Sequence, residues 1–172
     1  LQNDPFFGVR IAAAESLGKI HTDEAFEALR DGRRQADARV RLAVVRAITR
    51  YRNQDSMDLL SDILETEKNP AILSVVISQF GKYSGNTSRR AINRFLRSDS
   101  FRNELADAAV QAIRGQADPS FRKPLMAVLK QRERDFTSRG FSSGLSTLAR
   151  ISQDRTNRTE VREFVLGYLY HP

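Results

Sequence analysis

A segment recurs along this chain at intervals of 31 to 33 residues, and self-similarity at that interval restricts the fold more than any other feature of the sequence. Asp4-Pro5-Phe6-Phe7-Gly8-Val9-Arg10 leads into an apolar stretch ending at Ile20, and Asp37-Ala38-Arg39-Val40-Arg41 leads into a similar stretch ending at Tyr51. Val9 and Val40 lie 31 residues apart; the same template fits from Ile72 to Tyr83 and from Leu105 to Gln116, at offsets of 32 and 33, and a degenerate fifth copy runs from about Gly140 to Ile151. Within the second copy, Val40, Ala43, Val44, Ala47, Ile48 and Tyr51 form one stripe at a 3.6-residue period, the signature of an amphipathic helix. Small residues within the stripes, such as Ala13, Ala47, Ala109 and Gly144, let a neighbouring helix approach closely.

Second helical patterns lie between the copies: Ala25 and Leu29; Leu59, Leu60, Ile63 and Leu64; Ile92, Phe95 and Leu96; Leu125, Met126 and Leu129; Val161, Phe164, Val165, Tyr168 and Leu169. Asn69-Pro70 and Asp118-Pro119 put proline at helix starts, where its missing N–H costs nothing. Ser84-Gly85-Asn86 and the segment from Asp154 to Arg158 read as turns. No segment alternates as a strand does. The expected fold is all-α, an α/α superhelix of about five stacked helical hairpins over residues 1–172 as a single repeat domain. One hairpin of two short amphipathic helices leaves apolar surface on both flanks, so each needs a neighbour. On that logic the domain is a fragment of a longer chain, continuing at least N-terminally, with the last helix (Phe164, Tyr168, Tyr170) able to serve as a cap.

Composition closes off several chemistries. The chain has no cysteine, which excludes a disulfide scaffold, a thiolate metal site and a cysteine nucleophile. Its two histidines, His21 and His171, stand at opposite ends. No apolar run approaches the roughly 18 residues of a membrane span, so no membrane contact is expected. The compartment stays open, since bacterial cytoplasm and periplasm both fit.

The unit of Asp, then Val-Arg, then a small-residue stripe ending in Leu-Gly resembles the HEAT/armadillo-like repeats, particularly their short form related to phycobilisome lyase repeats. The resemblance spans nearly the whole chain and is strongest in the first two copies. It implies that the helices beginning at Val-Arg line a concave face. More narrowly, Asp4-Pro5-Phe6-Phe7-Gly8-Val9-Arg10 is similar to a segment in the helical C-terminal region of bacterial M1-type zinc aminopeptidases. That similarity implies a non-catalytic domain packing on a metallopeptidase and shaping substrate access. Such an enzyme needs His-Glu-x-x-His and a further glutamate. Neither histidine here has that spacing, so no catalytic residue, metal ligand or cofactor is expected in this segment, and any zinc would belong to a catalytic domain elsewhere.

What remains is charge. Twenty-eight basic against 21 acidic side chains give a formal balance of +7. Aligning the copies places Lys19, Arg50, Lys82 and Arg150 at equivalent positions, broken by Gly115 in the fourth. Such a column could hold an acidic protein or peptide, another domain of the same chain, or nucleic-acid phosphates. A plainer role competes, because cations in the last turn of a helix favourably meet its carbonyl end. Arg39 and Arg46 are stronger candidates: Arg46 shares a position with Glu15, Ser78, Gln111 and Ser146, a polar ridge that packing does not require. Nucleic acid is disfavoured by the absence of tryptophan, an aromatic content of 8% and the acids spread among the bases. Tyr51 and Tyr83, at equivalent stripe positions, fit core or interface better than a base platform. Asp107 is a lone carboxylate, and the Phe6-Phe7 pair reads as inter-repeat core.

Overall fold

The structure is a computed structural model that describes residues 4–153 and 155–169; ten α-helices, several short 3₁₀ turns and no strand occur among them. The all-α expectation therefore holds. The chain divides into two compact units, residues 1–79 and 80–172.

The first unit contains α1 (Phe7–Ile20), α2 (Asp23–Gly32), α3 (Ala38–Ile48), α4 (Gln54–Thr66) and α5 (Pro70–Gln79). The Val-Arg helices form one layer, α1 against α3 and α3 against α5, while α2 packs on α1 and α3, and α4 on α3 and α5. Short polar residues start these helices by taking up amides that have no partner within the helix. Thr22 accepts from the Ala25 N–H, Asp37 from that of Arg39, and Asn53 exchanges bonds with Ser56 in a capping box. Val9, Val40 and Ile72 each fall at the third residue of their helix. Val40 and Ile72 are buried, whereas Val9 is 50% exposed, because no described element covers its side of α1. Phe6, just before α1, and Ile20 at its end are exposed too, so Phe6 is not core; its ring instead covers Gly8, where a Cβ would come within 2.7 Å of it.

The second unit opens with a 3₁₀ turn (Phe80–Lys82) and continues through α6 (Asn86–Leu96), α7 (Glu104–Gln116), α8 (Arg122–Gln131), α9 (Ser138–Ile151) and α10 (Arg155–Leu169). Here α6 packs on α7 and α8, α7 on α9, and α8 and α10 on α9. The segment expected to turn is already helical from Arg155, with residue 154 outside the described residues. Tyr170, part of the last helix expected to be able to serve as a cap on the repeats, also lies outside them; in that helix Phe164 and Tyr168 stack edge to face with ring centres 5.3 Å apart.

The same joint is built twice. In the first unit, a Cβ on Gly18 would lie 2.8 Å from the Ala47 Cβ and 2.9 Å from its Cα. In the second, a Cβ on Gly81 would meet the Ala112 carbonyl oxygen at 2.7 Å. Gly18 and Gly81 hold one repeat position, and Ala47 and Ala112 another, so backbones meet wherever the Leu-Gly signature crosses the next helix. A side-chain donor then secures the carbonyl beside each glycine: Tyr51 Oη donates to the Leu17 carbonyl at 3.2 Å, and the equivalent Gln116 Nε2 donates to the Phe80 carbonyl at 2.9 Å. Gly144 departs from the pattern, since its missing Cβ makes room for Leu129 of α8.

The turns that close the Val-Arg helices also recur. His21, Arg52 and Ala117 occupy left-handed conformations at φ 58°, 52° and 53°, the geometry that ends a helix by reversing the chain.

Candidate interaction surface

In the first unit the polar ridge expected across the Val-Arg helices is present: Glu15 on α1 and Arg46 on α3 are exposed, and Ser78 on α5 is partly so. Lys19, in the last turn of α1, and Arg50, just past the end of α3, extend it, both exposed. Packing of α1 on α3 thus puts three cations and one carboxylate on adjacent helices. No side-chain hydrogen bond or ion pair engages Lys19, Arg46 or Arg50 among the described residues.

Arg39 is already committed. Its guanidinium meets Asp37 through two contacts, Nε to Oδ1 at 3.1 Å and Nη2 to Oδ2 at 2.6 Å, and stacks 3.6 Å from the centre of the Phe7 ring. The Arg39 side chain, followed by its backbone amide, holds the Asp37 carboxyl far below the usual carboxylate range. Asp37 caps α3 and Phe7 belongs to α1, so Arg39 tethers two helices while one face of its guanidinium remains open. Lys82 and Arg150 lie in the second unit, exposed in the opening 3₁₀ turn and in the last turn of α9.

Tyr51 is an interface residue, as its stripe position implied. Beyond its bond to Leu17 it stacks on His21 and Phe26, with ring centres 5.1 and 4.9 Å away. Asp107 lies half-buried against Gly140 in the first turn of α9; its Oδ1 has no hydrogen-bond partner, and burial pushes its carboxyl up.

The arginine of the Val-Arg pair proves to be a connector. Arg41 donates to both Glu67 oxygens, at 2.8 and 3.2 Å, and to the carbonyls of Gln35 and Ala36, stapling one inter-repeat linker to the next. Burial pushes the Glu67 carboxyl up, but the Arg41 bond and the amides of Asn69 and Lys68 outweigh it and leave it low. One repeat earlier, Arg10 donates to Gln35 Oε1 at 2.6 Å. Beside this staple a cleft of about 620 Å³ opens, its lining including Arg33, Arg34, Asp62, Glu65, Val45 and Ile63. Sequence reasoning passed over Gln35 and Glu67. Their 32-residue spacing, matched to Arg10 and Arg41, was the signal that could have found them.

Among the described residues no group of three or more His, Cys, Asp or Glu side chains could hold a metal ion. No described helix is long and apolar enough to cross a membrane. The family profile for HEAT repeats matches residues 1–81. HEAT repeats are generally protein-interaction scaffolds. No curated protein matches the chain.

Proposed function

We propose that this chain is a non-catalytic repeat scaffold whose α1–α3 face binds an acidic segment, belonging to a separate protein or to another domain of the same chain. The observation that carries the reading is the set Lys19, Arg46 and Arg50: exposed, without side-chain partners among the described residues, and carried on α1, on α3 and on the turn just after α3, the two helices being packed on each other. A carboxylate arriving there meets cations carried on packed helices with no ion pair to break first, so complementary charge steers its approach. Titrating a fluorescein-labelled glutamate-rich peptide, with anisotropy as readout at two salt concentrations, tests it. Binding that weakens with salt and falls severalfold in Arg46→Ala and Arg50→Ala supports it. Absence of binding at low salt, or indifference to both substitutions, refutes it. The same titration with a DNA duplex tests phosphate recognition, which the face supports less well because the exposed Glu15 carboxylate lies among the cations.

A second reading places these repeats after the catalytic domain of an M1-type metallopeptidase, packed on it and shaping access to its zinc. It rests on the segment from Asp4 to Arg10. Those residues also have local work: Asp4 Oδ1 accepts from the Phe6 amide, Phe7 carries Arg39, Gly8 makes room for the Phe6 ring, and Arg10 reaches Gln35. Sequencing the gene upstream of Leu1 decides between them: His-Glu-x-x-His there supports the peptidase parent, and further repeats support the scaffold.

A further inference from the structure

The connection between α6 and α7 is built at a conformational cost that packing does not explain. Arg102 and Asn103 are consecutive non-glycine residues in the left-handed region, at φ 52° and 57°. Asparagine tolerates this region but arginine seldom enters it, and such strain persists where surrounding structure enforces it. Here the enforcement is visible. Arg132, largely buried, donates to the Ser98 carbonyl at 2.8 Å, Asp99 Oδ1 at 2.7 Å, Asn103 Oδ1 at 2.8 Å and Asp135 at 3.0 Å. Asn103 is itself buried, and Ser100 Oγ accepts from the Leu105 amide at 3.0 Å.

What the clamp displays is Phe101, 79% exposed and the most exposed large apolar side chain among the described residues. The Arg102 guanidinium stands 5.3 Å from its ring centre, and Arg97, at the C-cap of α6, is exposed in the same connection. An exposed aromatic ring with one guanidinium beside it, on a connection that Arg132 fixes at Ser98, Asp99 and Asn103, offers an anchor of the kind that dominates an interface.

We propose that this loop docks an extended segment of a partner protein in which an aliphatic or aromatic side chain is flanked by carboxylates, with Phe101 taking the apolar group and Arg97 and Arg102 the acids. This site lies on a linker of the second unit and does not rest on the α1–α3 cations. The test is selection of a random displayed peptide library on the immobilised full chain, followed by anisotropy titration of the enriched peptides. Enriched peptides should combine apolar and acidic residues. Their affinity should fall about tenfold in Phe101→Ala, as for an interface anchor, fall less in Arg102→Ala, and stay unchanged in Arg46→Ala. Phe101→Leu should keep intermediate affinity, and because Phe101 is so exposed, Phe101→Ala should melt with the parent protein. No enrichment, enrichment of peptides without acids, or equal affinity for Phe101→Ala would overturn the proposal.

Discussion

Replacing Gly18 with alanine should destabilise the first unit, although the same change elsewhere in a helix would stabilise. The added Cβ would sit 2.8 Å from the Ala47 Cβ and 2.9 Å from its Cα, short of ordinary 3.4 Å contact by about 0.6 Å. The obstacle is helix backbone, which cannot swing aside as a long side chain would. Around it Ala14, Val44 and Ile48 are fully buried, so α1 must lift from α3 and lose contact along the joint. Overpacking of this kind costs about 1–3 kcal/mol, and alanine recovers up to about 1 kcal/mol of helix propensity. The net expectation is a loss of about 1 kcal/mol, the middle of the range of about 0–2 those figures leave. Gly167, within α10, is the matched control: a Cβ there meets nothing within 4 Å, so Gly167→Ala should gain about 1 kcal/mol. Urea denaturation followed by far-UV circular dichroism should move the two midpoints in opposite directions. A Gly18→Ala protein as stable as the parent would show that the joint is looser than its geometry states and would refute the reasoning.

Tyr51→Phe keeps the stack on His21 and Phe26 but removes the bond to Leu17, and should cost about 0.5–1.5 kcal/mol in the same urea assay. Ala117→Gly should stabilise the second unit by about 1 kcal/mol, because glycine adopts the left-handed turn without steric penalty; a lower midpoint would contradict the assignment. Asp107 titrates above its ordinary value in the folded chain, so the folded state holds its proton more tightly and loses stability as pH rises through that window. Asp107→Asn should therefore gain on the parent from acid toward neutral pH, and a constant difference between the two across that range would exclude the effect.

The pairing of helices was legible because burial obeys periodicity: a stripe at 3.6 residues repeated every 31 to 33 leaves few arrangements, and the helices appear where the stripes lie. Exposure of the cationic positions was legible for the same reason, since residues off the stripe face away from the core. The occupation of those cations was not. Lys19, Arg46 and Arg39 all read as exposed base on a ridge, yet Arg39 alone is spent, on Asp37 and on a ring 32 positions earlier in the sequence. Arg41 and Arg132 likewise look like ordinary surface arginines until the linkers they staple are brought together.

The sequence by itself determined most of the buried stripes and where the capped helices α2, α3 and α4 start, because hydrophobic period and capping chemistry are local. Only the tertiary structure decided which backbones touch at Gly18 and Gly81, which arginines are consumed, and that Phe101 is held outward on a strained turn. Those outcomes depend on distances between residues far apart in the chain, and no local preference encodes such a distance.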